Sequence, residues 1–218
     1  MRILFVLIVI TLLAHSFTSC KSSTTGPLTF CDTTCNNDSL KFVGTHSLKP
    51  YIFISFKDCN PDTVTWSYTG MGVNRKMAFE EMVGSGVKLN ESYIRSVFND
   101  TSYAWLLFND CNYGRGYYLK IPFNKTSSIG RSGRAINGLD PKYSIDQSLV
   151  AYTDRGNLFV EEMITGKKAM MTFGKELDID LDDLHATIDS VNITTGRIWA
   201  KVKIDDEWKE LEKNITLQ

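Results

Sequence analysis

Apolar residues recur along this chain in short runs, rich in aromatic and β-branched side chains, with turn-forming residues between them. Residues 51–56, 63–68, 103–108, 117–123, 149–153, 157–160, 188–193 and 197–204 are such runs. Successive side chains of a strand point to opposite faces, so a half-buried strand alternates with period two. The last run shows this cleanly. Ile198, Ala200, Val202 and Ile204 fall on one face, and Trp199, Lys201 and Lys203 on the other. That is the pattern of an antiparallel strand with one wet face. Helical spacing is confined to residues 74–83, stopped by Gly84, and to a short turn within 176–187. The pattern predicts an all-β fold: an antiparallel β-sandwich or an incomplete propeller-like sheet of repeated hairpins and meanders, with one or two short helices.

A faint repeat supports the meanders. Phe56-Lys-Asp-Cys-Asn60 recurs as Phe108-Asn-Asp-Cys-Asn112, and a degenerate copy is Tyr152-Thr-Asp-Arg-Gly156. Each copy ends one strand and opens the turn into the next, the sign of a repeated supersecondary unit. A further hairpin is predicted around Thr194-Thr-Gly196.

The start of the chain has a different character. Arg2 precedes an apolar run over residues 3–14 broken only by Thr11. That is the length of a secretory h-region and too short to span a bilayer. Two cleavage sites compete. Ala14-His15-Ser16 suits an ordinary signal peptidase, whereas Phe17-Thr18-Ser19-Cys20 resembles the lipobox of Bacteroidota-type bacterial lipoproteins, with Phe17 where leucine is usual. The resemblance implies a signal peptide over 1–19 and acyl chains, palmitate among them, on Cys20. It further implies a lipidated tether over 20–29 and a single β-rich domain over 30–218. Membrane attachment would run through this N-terminal lipid, in the outer membrane of a bacterial cell envelope. Lys21-Ser22-Ser23 lacks the acidic residues associated with surface export in such lipoproteins, which implies a periplasm-facing location.

Cysteine parity agrees with lipidation. The chain has five cysteines, and setting Cys20 aside leaves Cys31, Cys35, Cys59 and Cys111, an even set for disulfides in an oxidising compartment. The repeat places Cys59 and Cys111 at equivalent points of two hairpins. Pairing between them would leave Cys31 with Cys35, and the other two connectivities stay open. A four-cysteine zinc site is the rival, but Cys31-x3-Cys35 is not echoed by a second close pair.

Charge and motifs narrow the function classes. A formal charge of −1 argues against a nucleic-acid partner held by bulk positive charge. Phosphate-loop, dinucleotide and nucleophile-elbow patterns are absent from the sequence. Asp178, Asp180, Asp182 and Asp189 occupy positions 1, 3, 5 and 12 of a pattern like an EF-hand loop, the alternative to having no cofactor being calcium. Asp183 stands where that loop needs glycine, so a solvated acidic loop is the simpler reading. His46 and His185 are the histidines available to a mature domain, and neither lies in a recognised motif. Residues 124–147 form the longest stretch without a strand pattern. They carry Arg131, Arg134 and Lys142, a possible docking loop for an envelope protein or a glycan. Trp199 lies on the polar face of its strand and could stack on a ligand. These readings favour a non-catalytic envelope lipoprotein, a binding or structural module. A periplasmic inhibitor or immunity-type protein acting through an exposed loop is one alternative. A glycan-active hydrolase using two carboxylates is another.

Overall fold

A computed structural model describes residues 30–31, 38–130, 132–174, 176–180 and 183–218. The fold is all-β, 50% strand and 6% helix, in four antiparallel-rich sheets with no closed barrel. The first sheet is a meander of β1 (Leu40–Val43), β2 (Tyr51–Lys57), β3 (Asn60–Ser67) and β4 (Arg75–Ala78). A one-turn helix α1 (Phe79–Val83) follows. The second meander is β5 (Ile94–Asn99), β6 (Tyr103–Asn109), β7 (Gly116–Pro122) and β8 (Gly133–Ala135). The chain then places β9 (Tyr143–Ile145) for later use and builds the third sheet from β10 (Leu149–Asp154), β11 (Asn157–Glu162) and β12 (Lys168–Met171). The fourth sheet has the order β15-β14-β13-β9, from β13 (Ile188–Thr194), β14 (Arg197–Ile204) and β15 (Glu207–Asn214), with β9 parallel to β13.

Each sheet packs on the next. Ile52, Ile54, Val64 and Trp66 of the first meet Leu106, Phe108, Leu119 and Ile121 of the second in a cluster of seventeen buried residues. Ala151, Leu158 and Val160 of the third meet Val191, Ile198, Ala200 and Val202 of the fourth in a cluster of sixteen. Between the second and third sheets the closed cluster is only Trp105, Leu107, Val150 and Met163. Two sandwich-like pairs are thus joined through a thinner middle.

The predicted alternation of β14 holds at every position: Ile198, Ala200, Val202 and Ile204 are buried, the residues between them half-buried. Two-residue turns with left-handed backbone close the hairpins, Asp58-Cys59 (φ 51° and 62°) after β2 and Asp205-Asp206 (φ 53° and 62°) after β14. That twist suits a tight hairpin. The expected helix over 74–83 is half strand. Its first residues pair with β3 as β4, and helix begins only at Phe79. The turn expected within 176–187 is a 3-10 turn at Leu184–Ala186.

Candidate functional site

Cys20, Cys35, Arg131 and Asp182 lie outside the described residues. Cys31 is bonded to Cys111, one of the connectivities left open by the sequence, and the Cys59–Cys111 pairing suggested by the repeat does not form. The β4–β5 connection runs between those two turns. The Cys111 amide donates to the Lys88 carbonyl at 2.9 Å, and the Lys88 ammonium donates to the Cys59 carbonyl at 3.4 Å. Cys59 is itself disulfide-bonded, to a partner outside the described residues. Cys20 and Cys35 are the cysteines that remain for it. With three cysteines oxidised, the four-cysteine zinc site is excluded.

Of the calcium-like pattern, Asp178, Asp180 and Asp189 lie within the described residues. Among the described residues no group of three or more His, Cys, Asp or Glu is placed to hold a metal. The Asp189 carboxylate sits between Lys201 at 3.3 Å and Lys142 at 3.6 Å. Desolvation works to raise its pKa, but the Lys201 and Ser190 hydrogen bonds and the Lys142 charge outweigh it and hold the group below the usual carboxylate range. Asp178 uses its backbone carbonyl to accept from the Thr187 hydroxyl. The segment 124–147 is tied down: it contains β8 and β9 and buries Asn137 and Asp140. Within it, Arg134 lies over the Tyr117 ring at 4.6 Å and Lys142 is spent on Asp189. Trp199 is half-buried in its register row between Asn192 and Glu212. His46 makes a local contact, accepting the Leu48 amide.

Two arrangements went unread in the sequence. The first is a polar cleft holding Asp140, Tyr143 and His185. Asp140, 3% exposed, accepts the Lys142 amide at 2.9 Å and contacts His185 Nε2 at 2.8 Å. His185 Nδ1 lies 3.3 Å from the Tyr143 hydroxyl, which also reaches the Ile188 carbonyl at 3.2 Å. Burial first, then Asp140, Asp189 and Asp183, push the Tyr143 hydroxyl far above its ordinary range. Both imidazole nitrogens are occupied within the fold, and the cavity of about 40 Å³ holds only a few waters. This is a clamp joining the turn before β13 to the turn before β9.

The second arrangement is an aromatic row that starts in the thin middle of the fold and ends at a groove beside β12. Trp105, Tyr118, Tyr152 and Phe159 follow one another across the second and third sheets with ring centroids 5.8, 5.5 and 5.6 Å apart. The Lys120 ammonium caps this row 5.0 Å from the Trp105 ring. At its far end Lys168 meets the nearly buried Glu161 carboxylate at 3.0 Å. That hydrogen bond, helped by Tyr152 and opposed by burial, raises the Lys168 pKa and keeps the side chain charged. Beyond Phe159 the row enters a concavity of about 490 Å³ between β12 and the segment after β15. Its wall is tied in place because Lys168 and Gln218 exchange both backbone hydrogen bonds, and the Lys213 ammonium donates to the Met170 carbonyl at 2.9 Å. A sequence signal existed for this groove. In β10 and β11 the phase opposite the core carries Val150, Tyr152 and Phe159 among Asp154, Asn157 and Glu161, so the third sheet has large apolar side chains on both faces. Comparison with protein-family models, curated proteins and solved structures returns no match for this chain.

Proposed function

We propose that this chain is a lipid-anchored envelope protein whose β domain is a non-catalytic binding module. The observation that carries the binding half is the open groove between β12 and the segment after β15, with Phe159 in its wall and a volume within the roughly 300–1,000 Å³ of ordinary ligand sites. The side chains best suited to proton transfer have structural partners instead: His185 at both nitrogens, Glu161 on Lys168, Asp189 on two lysines.

The anchoring half rests on the leader, the Cys20 lipobox and the residues that follow. Ten residues, 20–29, reach at most about 35 Å when extended. The chain then meets a staple: Phe30 and Cys31 donate to the Cys111 carbonyl, and the disulfide locks them there. A pull on the tether is thus delivered to the end of β6, in the buried core, and not to an edge strand. On this reading Cys20 carries lipid, Cys35 is the partner of Cys59, and the domain faces the periplasm from the outer membrane. Mass spectrometry of the purified full chain tests it. Expected are an N-terminal peptide starting at acylated Cys20 and a disulfide-linked Cys35–Cys59 peptide. An unmodified Cys20, or a Cys20–Cys59 bridge, overturns it.

A further inference from the structure

We propose that the groove at Phe159 is a carbohydrate site, a specification that rests on the binding-module reading above. The groove combines two kinds of surface. Phe159, Met170 and Ile215 supply apolar patches, and Met170 is 37% exposed despite lying on a sheet face. Asn214, Thr216 and Gln218, all exposed, line the same concavity with neutral donors and acceptors.

A sugar ring matches that mixture. One of its faces presents clustered C–H groups that pack on an aromatic or thioether surface, while its equatorial hydroxyls need amides, hydroxyls and ammonium groups at the rim. An acyl chain would leave the polar rim unpaired when it covered it, at a cost for each group. A polyanion would find both groove lysines already engaged, Lys168 by the Glu161 carboxylate and Lys213 by the Met170 carbonyl. The polar wall does not collapse onto the ring, because the backbone pairing of Lys168 with Gln218 holds it along the β12 edge. The aromatic row leading away from Phe159 through Tyr152 and Tyr118 gives a longer glycan further rings to follow.

The test is calorimetric titration of the full-length chain, purified in detergent, with three hexasaccharides: β-1,4-linked glucose, β-1,4-linked N-acetylglucosamine and α-1,4-linked glucose. At least one binds with a Kd of about 10 µM to 1 mM. Phe159→Ala weakens that binding at least about tenfold, or about 1.4 kcal/mol. Because Phe159 is half-buried, a second variant guards against simple misfolding. Asn214→Ala/Thr216→Ala alters only exposed side chains, keeps the parent melting temperature, and loses about fivefold or more in affinity. Trp208→Ala, on β15 and outside the groove, leaves the titration unchanged. Absence of saturable heat with all three sugars up to about 5 mM overturns the proposal, as does full affinity in the Asn214→Ala/Thr216→Ala variant. The mass of the Cys20 peptide in the same preparation reports on anchoring separately, so failure of the sugar site and failure of the lipoprotein reading are told apart.

Discussion

The Cys31–Cys111 bridge closes a long loop, with 80 positions between its ends in sequence. Its removal by Cys31→Ala/Cys111→Ala is the perturbation with the largest calculable effect. A crosslink acts chiefly on the unfolded chain, and the chain-entropy relation for a loop of this size gives about 4.5 kcal/mol at 25 °C. The second bridge, at Cys59, shortens the path that this one closes, but the dependence is logarithmic and leaves about 4 kcal/mol. Both cysteines are buried, Cys31 at 6% and Cys111 at 1% exposure, and replacing both with alanine leaves no free thiol and only a small void. The folded state loses more than the crosslink. Phe30 packs edge-on to Tyr93 and fills the space over Gly114, where an added Cβ would come within 2.6 Å of its ring. Freed from the staple, that segment has two backbone hydrogen bonds to hold it. Urea unfolding under oxidising conditions reads the change; a reductant would also cut the Cys59 bridge and confound it. A loss of about 4 kcal/mol corresponds to about 8–16 °C in Tm for a domain of this size. A loss below about 1 kcal/mol would refute the reasoning, because it would mean that the unfolded ensemble already holds the two ends together.

Three further outcomes follow from the buried clamp and one tight turn. His185→Ala leaves the nearly inaccessible Asp140 carboxylate with the Lys142 amide and cavity water alone, and lowers stability by about 2 kcal/mol in the same urea assay; a drop under about 0.5 kcal/mol contradicts the clamp. Tyr143 has its folded-state pKa raised from 10, so its stabilisation is complete below about pH 10 and is lost as pH rises from there toward the folded value. Tyr143→Phe therefore flattens the alkaline limb of a stability–pH profile, and an unchanged limb would refute that assignment. Gly156 has φ +68° and lies directly under the Leu177 backbone. Gly156→Ala adds both strain and a backbone clash, costing more than about 2 kcal/mol by thermal melting, and a neutral result would show that the 176–180 segment moves aside freely.

The strands that sequence reading found are those that bury one face in a large cluster. β2, β3, β6, β7, β10, β11, β13 and β14 each carry aromatic or branched residues at alternate positions, and burial enforces that pattern. The strands it missed lie at edges or are very short. β15 reads Glu-Trp-Lys-Glu-Leu-Glu-Lys-Asn and pairs with β14 along its whole length. Charges on an edge strand discourage pairing with other chains, so the composition that protects the edge also hides the strand. β4 was hidden by helix-forming residues around Met77 and Ala78; four ladder positions with β3 override that local preference. β9 has three residues and a parallel partner almost fifty positions away, which no local pattern encodes.

The repeat was legible, and its use for the disulfides shows where such reasoning stops. Phe56–Asn60 and Phe108–Asn112 do end the corresponding strands β2 and β6 of adjacent sheets. Equivalent positions in stacked sheets are separated by the packing distance of the sheets, about 10 Å. A disulfide needs its Cα atoms within about 7 Å, and the Cys31–Cys111 pair has them at 4.8 Å. Internal symmetry therefore argues against bonding between equivalent cysteines unless a backbone excursion closes the gap. The two copies make different excursions. Cys59 sits in a two-residue turn with left-handed φ, whereas Cys111 sits in the longer connection before Gly116, buried under Lys88 and Phe30. The partner that reaches Cys111 comes from outside the repeat, on the segment before β1. Cysteines shared by repeats are thus better paired with flanking segments than with each other, and the predicted Cys35–Cys59 peptide applies the same logic to the β2–β3 hairpin.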